Sequence, residues 1–188
     1  KRWGMVIDKG IAYLKNNPIN KETIDVLYLL AEARWRLGRD QVDPPLGDMT
    51  NTWRQALHAF DGGRLGVFAQ TRLAQAAALQ EDHPGALYRL DLALASAPEE
   101  RRFPLQLLKA RSLAALHRER EALALLASLD SPQLEKTKRL DLVKLIGAIR
   151  LQAGDAPGAW SSYQQANALD SNWTSLDYEG WEKMALAA

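Results

Sequence analysis

The sequence of 188 residues contains no cysteine, which excludes disulfide bonds, thiolate catalysis and zinc sites with cysteine ligands. No apolar run approaches the roughly 20 residues that a helix needs to cross a bilayer, and the amino-terminal segment does not lead into a signal-peptide core. Because the first residue is Lys1 rather than methionine, we expect a processed product or an excised piece of a longer protein. A removed export signal or membrane anchor is compatible with this sequence, and so are the bacterial cytoplasm and the periplasm.

The recognisable motifs of enzymes are also missing. The sequence has no glycine-rich phosphate loop, no GxSxG elbow, no HExxH pair and no set of kinase motifs. Its three histidines, His58, His83 and His117, fall in separate predicted repeats, which argues against a shared metal site. We therefore predict a protein that has no enzymatic activity, no cofactor and no metal.

Two acidic clusters are interpreted as solvated surface. Asp40, Asp43 and Asp48 do not have the spacing of a calcium loop, and two adjacent prolines restrict the chain around them. A second acidic group shows no pair of carboxylates poised for acid–base catalysis and is predicted to be a solvated cap. It consists of Asp170, Asp177, Glu179 and Glu182.

The residues that are abundant favour helices. Alanine and leucine dominate, whereas isoleucine, valine and threonine are sparse, and this balance favours helix over strand. Apolar residues make up 47% and charged residues 25% of the chain, as in ordinary soluble globular proteins. The composition therefore predicts a folded helical chain, and its bias towards alanine and arginine hints at a bacterial source.

Charge is unevenly distributed, although the formal net charge is only +1. Residues 101–150 carry 11 basic and 5 acidic side chains, whereas residues 151–188 carry 1 and 5. The low net charge argues against general nucleic-acid binding. The basic middle segment is compatible either with attraction of an acidic partner or with a solvated helix face.

Small and apolar residues recur at the separations of a helix, a short turn and a second helix. One copy spans 67–98 and contains Leu73-Ala74, Ala77, Ala86, Leu90, Ala93 and Pro98. Another copy, between residues 143 and 166, contains Ile146-Gly147, Gly154, Ala159, Tyr163 and Ala166. Fainter copies begin near residues 23 and 103, and the earlier one is interrupted by 39–51, whose Pro44-Pro45 core predicts a surface loop.

This pattern resembles the tetratricopeptide repeat (TPR), in which small residues at the eighth and twentieth positions let two antiparallel helices approach closely. The resemblance implies an all-α fold, a right-handed superhelix of antiparallel helix pairs with about four repeats and capping helices. It divides the single domain 1–188 into a truncated preceding helix at 1–18, repeat 1 at 23–61 with the inserted loop 39–51, repeat 2 at 65–98, repeat 3 at 103–132, repeat 4 at 138–171 and a C-terminal capping helix at 173–187.

The resemblance also implies a groove, because the first helices of TPR pairs line a concave face. The second, fifth, ninth, twelfth and thirteenth positions predict these groove residues in repeats 1 and 2: Asp25, Tyr28, Glu32, Trp35, Arg36, Phe68, Thr71, Gln75 and Leu79. In repeats 3 and 4 the corresponding residues are Leu107, Arg111, Ala114, Asp141, Lys144 and Gln152. One TPR subset grips a terminal carboxylate at such positions, but Tyr28 and Glu32 occupy the first of them, so that clamp is absent.

Two functions are compatible with this pattern. The first is a non-catalytic scaffold or adaptor whose groove binds a segment of a partner protein or peptide, with acidic side chains favoured by the basic groups in the groove. The second is a helical sensory or regulatory domain of a larger signalling or transcription-regulating protein. The sequence does not identify the partner, and we expect no nucleic-acid partner.

Overall fold

The computed structural model describes residues 2–20, 23–39, 41, 45–59 and 63–170, and over these residues the chain is helical, without strands. The helices are α1 (Arg2–Asn16), α2 (Ile24–Gly38), α3 (Leu46–Ala59), α4 (Gly63–Leu79), α5 (His83–Ser96), α6 (Glu99–Ala115), α7 (Glu119–Ala127), α8 (Lys136–Gln152) and α9 (Ala156–Leu169). Within this described part, no helix combines the length and the apolar character that a membrane span requires. The capping helix predicted at 173–187 lies outside the described residues.

The chain forms two compact units, which we call unit 1 (Lys1–Leu105) and unit 2 (Gln106–Ala188). In unit 1, α1 packs on α2, α2 on α3, α3 on α4 and α4 on α5. In unit 2, α7 packs on α8 and α8 on α9. Turns of three residues join α4 to α5 and α8 to α9, so each of these pairs is antiparallel. The predicted all-α architecture of successive helix pairs is confirmed.

Small residues are buried at the positions where the repeat pattern predicts close helix crossings. Ala74 and Ala86 are buried at the eighth and twentieth positions of repeat 2, and Gly147 and Ala159 are buried at those of repeat 4. A Cβ atom added to Gly147 would lie only 2.7 Å from Cε1 of Tyr163. Glycine is therefore required where α8 meets the ring of Tyr163 on α9.

The turn position after the first helix uses a left-handed backbone conformation in three repeats. Its φ angle is 60° at Glu81, 56° at His117 and 81° at Gly154. Only glycine adopts this conformation without steric cost. Repeats 2 and 3 therefore place a strained residue where repeat 4 has the favoured glycine.

The second helices of repeats 2 and 4 begin with the same cap. Asp82 and Asp155 each accept a hydrogen bond at Oδ1 from the backbone N–H three residues later, at 2.9 Å in both cases. Those N–H groups belong to Gly85 and Gly158, and each aspartate is followed by the pattern X-Pro-Gly-Ala. A Cβ atom on either glycine would lie 2.1 or 2.0 Å from the capping carboxylate. Aspartate, proline, glycine and alanine at these spacings thus form a compact start signal for a helix.

The inserted segment of repeat 1 is partly helical. Helix α3 begins at Leu46, inside the segment 39–51 that the sequence predicts to be a loop. Its early residue Met49 and its central residue Trp53 are fully buried. The apolar side chains after the two prolines therefore extend the second helix of the pair by an additional packed segment.

Candidate protein-interaction surface

Helices α2 and α4 are the first helices of repeats 1 and 2, and they run parallel. Tyr28 and Ala69 belong to one buried cluster near the start of both helices. Trp35 and Ala76 belong to another cluster nearer their ends. Residues of increasing number meet in the same order along the two helices, with an offset of two or three repeat positions, as between Glu32 and Arg72.

One face of these two helices combines exposed side chains with partly covered ones. It consists of the second, sixth, ninth and thirteenth positions of each repeat, and we call it the inner face: Asp25, Leu29, Glu32 and Arg36 on α2, and Phe68, Arg72, Gln75 and Leu79 on α4. The apolar side chains Leu29 and Leu79 are both 52% exposed. This face therefore offers apolar contacts as well as charge.

A bidentate ion pair joins the two helices at the centre of the inner face. Arg72 donates from Nη2 to Oε1 of Glu32 at 2.8 Å and from Nε to Oε2 at 2.9 Å. The two side chains are only 11% and 13% exposed. Arg72 also donates from Nη1 to Oε1 of Gln75 at 2.8 Å. Two parallel hydrogen bonds fix the orientation of both groups as well as their separation.

Aromatic rings hold the guanidinium of Arg72 in place. Its Cζ lies 4.8 Å from the ring centroid of Phe68 and 5.4 Å from that of Trp35. Such cation–π contacts are worth about 0.5–2 kcal/mol, depending on how far the cation is desolvated. Arg72 is therefore a rigid part of the surface rather than a mobile charge.

Arg36 is held at only one side of its guanidinium. Its Nε donates to Oε1 of Glu32 at 2.6 Å, and its Cζ lies 5.6 Å from the ring of Trp3 on α1. The side chain is 45% exposed. Within the described part of the chain, its two terminal nitrogens have no hydrogen-bond acceptor. Arg36 is thus oriented by the protein while its remaining donors face solvent.

Known proteins resemble this chain in fold rather than in sequence. No protein-family model matches the sequence, and no curated protein matches it. The crystal structure of TTC0263, a thermophilic TPR protein of Thermus thermophilus, is similar with a TM-score of 0.61 and 19% identity, over 99% of this chain and 90% of that one. The fold is TPR-like. BtubC (BKLC) from P. vanneervenii is similar with a TM-score of 0.63 and 15% identity, over 99% of this chain and 80% of that one.

Of the groove residues predicted from the TPR positions in unit 1, several lie on the inner face and two lie in the core. Glu32, Arg36, Phe68 and Gln75 belong to the inner face, and their role in binding a partner stays a prediction. Tyr28 and Trp35, in contrast, are only 4% and 3% exposed, so they are core residues rather than accessible groove residues. The ring of Tyr28 packs edge-on against Trp53 of α3 at 5.7 Å. Both aromatic side chains fill space between the helices, where burial of a large ring is most favourable.

On the inner face, the sixth residue of each repeat lies where the TPR resemblance predicts the fifth. The frame assigns Thr71 to the groove, but its hydroxyl donates to the carbonyl of Val67 at 2.7 Å and the residue is half-buried. The neighbouring Arg72, which the frame does not single out, carries the central ion pair. The sequence signal that could have identified Arg72 is the spacing of Phe68, Arg72 and Gln75 on one side of α4. Glu32 in the preceding repeat supplies the complementary charge.

In unit 2 the predicted groove residues show no comparable cluster. Arg111 is exposed, whereas Leu107 and Lys144 are half-buried. Gln152 donates from Nε2 to the carbonyl of Ala114 at 3.1 Å and so caps the last turn of α6. These positions present a basic surface at Arg111 and Lys144 rather than an aromatic one.

Unit 2 has its own bidentate pair on the surface. Arg118 donates from Nε and Nη2 to the two carboxylate oxygens of Glu121, at 2.7 Å in each case. The hydrogen bond from Arg118 lowers the pKa of Glu121 below its usual value and raises that of Arg118. Farther along unit 2, burial raises the pKa of Tyr163. The described residues contain no group of three or more acidic or histidine side chains that could hold a metal ion.

Proposed function

We propose that this protein is a non-catalytic interaction scaffold that binds a segment of a partner protein on the inner face of unit 1. TPR-like folds generally act as protein-interaction scaffolds, and the inner face combines rigid and exposed groups. Tyrosine, tryptophan and arginine are the residue types most enriched at binding hot spots. Here Arg36, Leu29 and Leu79 provide the accessible contacts. The aromatic rings contact the arginines of this face.

The observation that supports the proposal most is the environment of Arg36. Its terminal nitrogens have no acceptor among the described residues, and Leu79, on the parallel helix α4, is an exposed apolar side chain of the same face. An extended or helical segment with an acidic residue next to an apolar residue matches this arrangement. The carboxylate would complete the hydrogen bonds of Arg36, and the apolar side chain would cover Leu79 or Leu29.

We propose a separate contact region within unit 2. Arg111 is exposed there, at a position that the TPR resemblance assigns to the groove, in line with the excess of basic side chains in residues 101–150. Acidic side chains of a partner would be attracted to it, and that attraction would weaken with added salt.

The test is selection of peptides from a randomised display library on the purified protein, followed by fluorescence anisotropy with the enriched peptides. We expect enriched sequences to combine an acidic and an apolar residue. Their affinity should fall about tenfold or more for Arg36→Glu and for Leu79→Ala, since each removes a direct contact.

Matched controls lie off the inner face. Leu92→Ala on α5 removes an exposed leucine, which is 38% exposed, and Arg120→Glu on α7 inverts an exposed arginine. Both should leave peptide affinity unchanged. Equal losses for control and inner-face variants, or no loss at Arg36 and Leu79, would remove the inner face as the binding surface.

A further inference from the structure

A cavity of about 190 Å³ lies in unit 1 between α3, α4 and the start of α5. Its floor includes the buried residues Thr50 and Leu73 together with Ala77, and its rim is formed by polar residues: Arg54, Gln80, Asp82, Gly85, Tyr88 and Arg89. Leu73 and Ala77 are on a different side of α4 from Arg72 and Gln75. The cavity is therefore separate from the inner face.

Two arginines on this rim have no carboxylate partner in the part of the chain that the structure describes. Arg54 donates from Nη1 to the side-chain oxygen of Asn51 at 3.2 Å. Arg89 donates from Nη1 to the side-chain oxygen of Gln70 at 3.2 Å, and its Cζ lies 5.8 Å from the ring of Tyr88. Both neighbours are neutral amides, so they orient the guanidinium groups without neutralising them.

The acidic residue on the rim is already engaged. Oδ1 of Asp82 accepts the N–H of Gly85 at 2.9 Å and caps helix α5. The lining thus carries two positive charges against one negative charge that serves the helix terminus. This excess of positive charge, beside the apolar groups of Leu73 and Ala77, leaves the cavity suited to an anionic group with a short aliphatic chain.

We propose that this cavity binds a carboxylate on a short aliphatic chain, as in a small dicarboxylic acid or the acidic side chain of a peptide. Guanidinium groups bind carboxylates through paired hydrogen bonds, and Leu73 and Ala77 provide contact for methylene groups. Pockets for drug-sized ligands typically measure roughly 300–1,000 Å³, so this cavity is too small for a nucleotide. The site does not depend on the partner proposed for the inner face.

The test is an NMR titration of isotope-labelled protein with sodium glutarate, with a blocked Ala-Glu-Ala peptide and with sodium phosphate, each at constant ionic strength. Carboxylate binding should give saturable shifts at the amides of Gly85, Tyr88 and Arg89, with a dissociation constant on the order of 1 mM. Saturation by glutarate alone supports a free dicarboxylic acid, and saturation by the peptide alone supports an acidic side chain. Tighter binding of phosphate, or no saturation by either carboxylate, overturns the proposal.

Variants separate a formed site from general attraction to positive charge. Arg54→Gln and Arg89→Gln should each weaken binding about tenfold, and Arg54→Lys should have an intermediate effect because it keeps the charge but loses the fork. Arg120→Gln, an exposed arginine of unit 2, is the matched control and should bind as the wild type does. Arg54 and Arg120 are exposed and Arg89 is half-buried, and glutamine keeps most of each side chain, so helical content should be unchanged. An equal loss for Arg120→Gln would overturn the site.

Discussion

Each unit contains an arginine that binds a glutamate through two hydrogen bonds, yet the two pairs differ in what they join. In unit 1, Arg72 and Glu32 are 40 residues apart in sequence, are almost fully covered and connect two helices. In unit 2, Arg118 and Glu121 are three residues apart, belong to the start of one helix and are 46% and 58% exposed. The residue types and the bond pattern are the same, so the difference in their contribution to stability comes from burial and from the elements that they connect.

The largest expected effect comes from breaking the buried pair. Glu32→Ala leaves the guanidinium of Arg72 covered without its counter-charge, and we expect a loss of about 3 kcal/mol in the free energy of unfolding. Urea denaturation followed by circular dichroism measures this loss. The matched variant in unit 2 is Glu121→Ala, which should cause no measurable change. Equal losses for the two variants would show that burial does not distinguish the pairs.

The two units also differ in the side-chain volumes at equivalent packing positions of their helix pairs. At the eighth and twenty-fourth positions, repeat 2 has Ala74 and Leu90, whereas repeat 4 has Gly147 and Tyr163, which lie in close contact. The larger ring is accommodated by removing the Cβ atom that faces it. A small residue and its large neighbour therefore vary together in order to keep the helices close.

This packing predicts that Gly147→Ala destabilises the protein by up to about 2 kcal/mol, because overpacking costs about 1–3 kcal/mol and helix propensity returns about 1 kcal/mol. Adding Tyr163→Leu should recover most of the loss, since repeat 4 then has the residue pair of repeat 2. Gly4→Ala in α1 is the control: nothing lies within 4 Å of the added Cβ atom, so stability should rise. Failure of the double variant to recover would mean that the ring is not the obstacle.

A smaller effect is expected at the turns. His117→Gly should stabilise the protein by about 0.5 kcal/mol, because release of left-handed strain slightly exceeds the added entropy of the unfolded chain. Glu81→Gly in unit 1 should act in the same direction, and Gly154→Ala should destabilise by about 1 kcal/mol. Thermal unfolding gives the three signs. A lower melting temperature for His117→Gly would indicate that its contact with Glu119, at 3.5 Å, outweighs the strain.

The smallest expected effect is at alkaline pH. Burial raises the pKa of Tyr163 in the folded state, so the neutral phenol is favoured by folding. Its contribution to stability is fully present below the unfolded pKa of about 10 and is lost as pH rises through the folded pKa. Ultraviolet titration of the phenolate, compared between wild type and Tyr163→Phe, isolates this group. Identical alkaline stability in the two proteins would contradict the prediction.

The close helix crossings are predictable from the sequence because they depend on single small residues at fixed separations. Ala74, Ala86, Gly147 and Ala159 are recognisable in this way, and so is the turn at Gly154. These positions are set by the backbone distance between helices, which a Cβ atom changes directly. Local patterns of this kind are visible before the fold is known.

The inner face is less predictable because it depends on how far each helix is rotated about its axis. A rotation of one residue position exchanges Tyr28 for Leu29 and Thr71 for Arg72. In repeat 1 the rotation is fixed by Trp53 and Met49 of α3, which hold Tyr28 and Trp35 inward. Met49 belongs to the inserted segment 39–51, which has no counterpart in the repeat pattern, and Trp53 lies two residues after it. The pairing of Glu32 with Arg72 likewise depends on the three-dimensional neighbours of both helices.

The aspartate cap at the start of α5 and of α9 has a consequence for modularity. Because the same four residue types set the first helical turn through bonds within that turn, the beginning of each second helix is specified locally, whatever first helix precedes it. A second helix with this cap can therefore be joined to another first helix, by recombination or by protein engineering, without redesign of the turn between them.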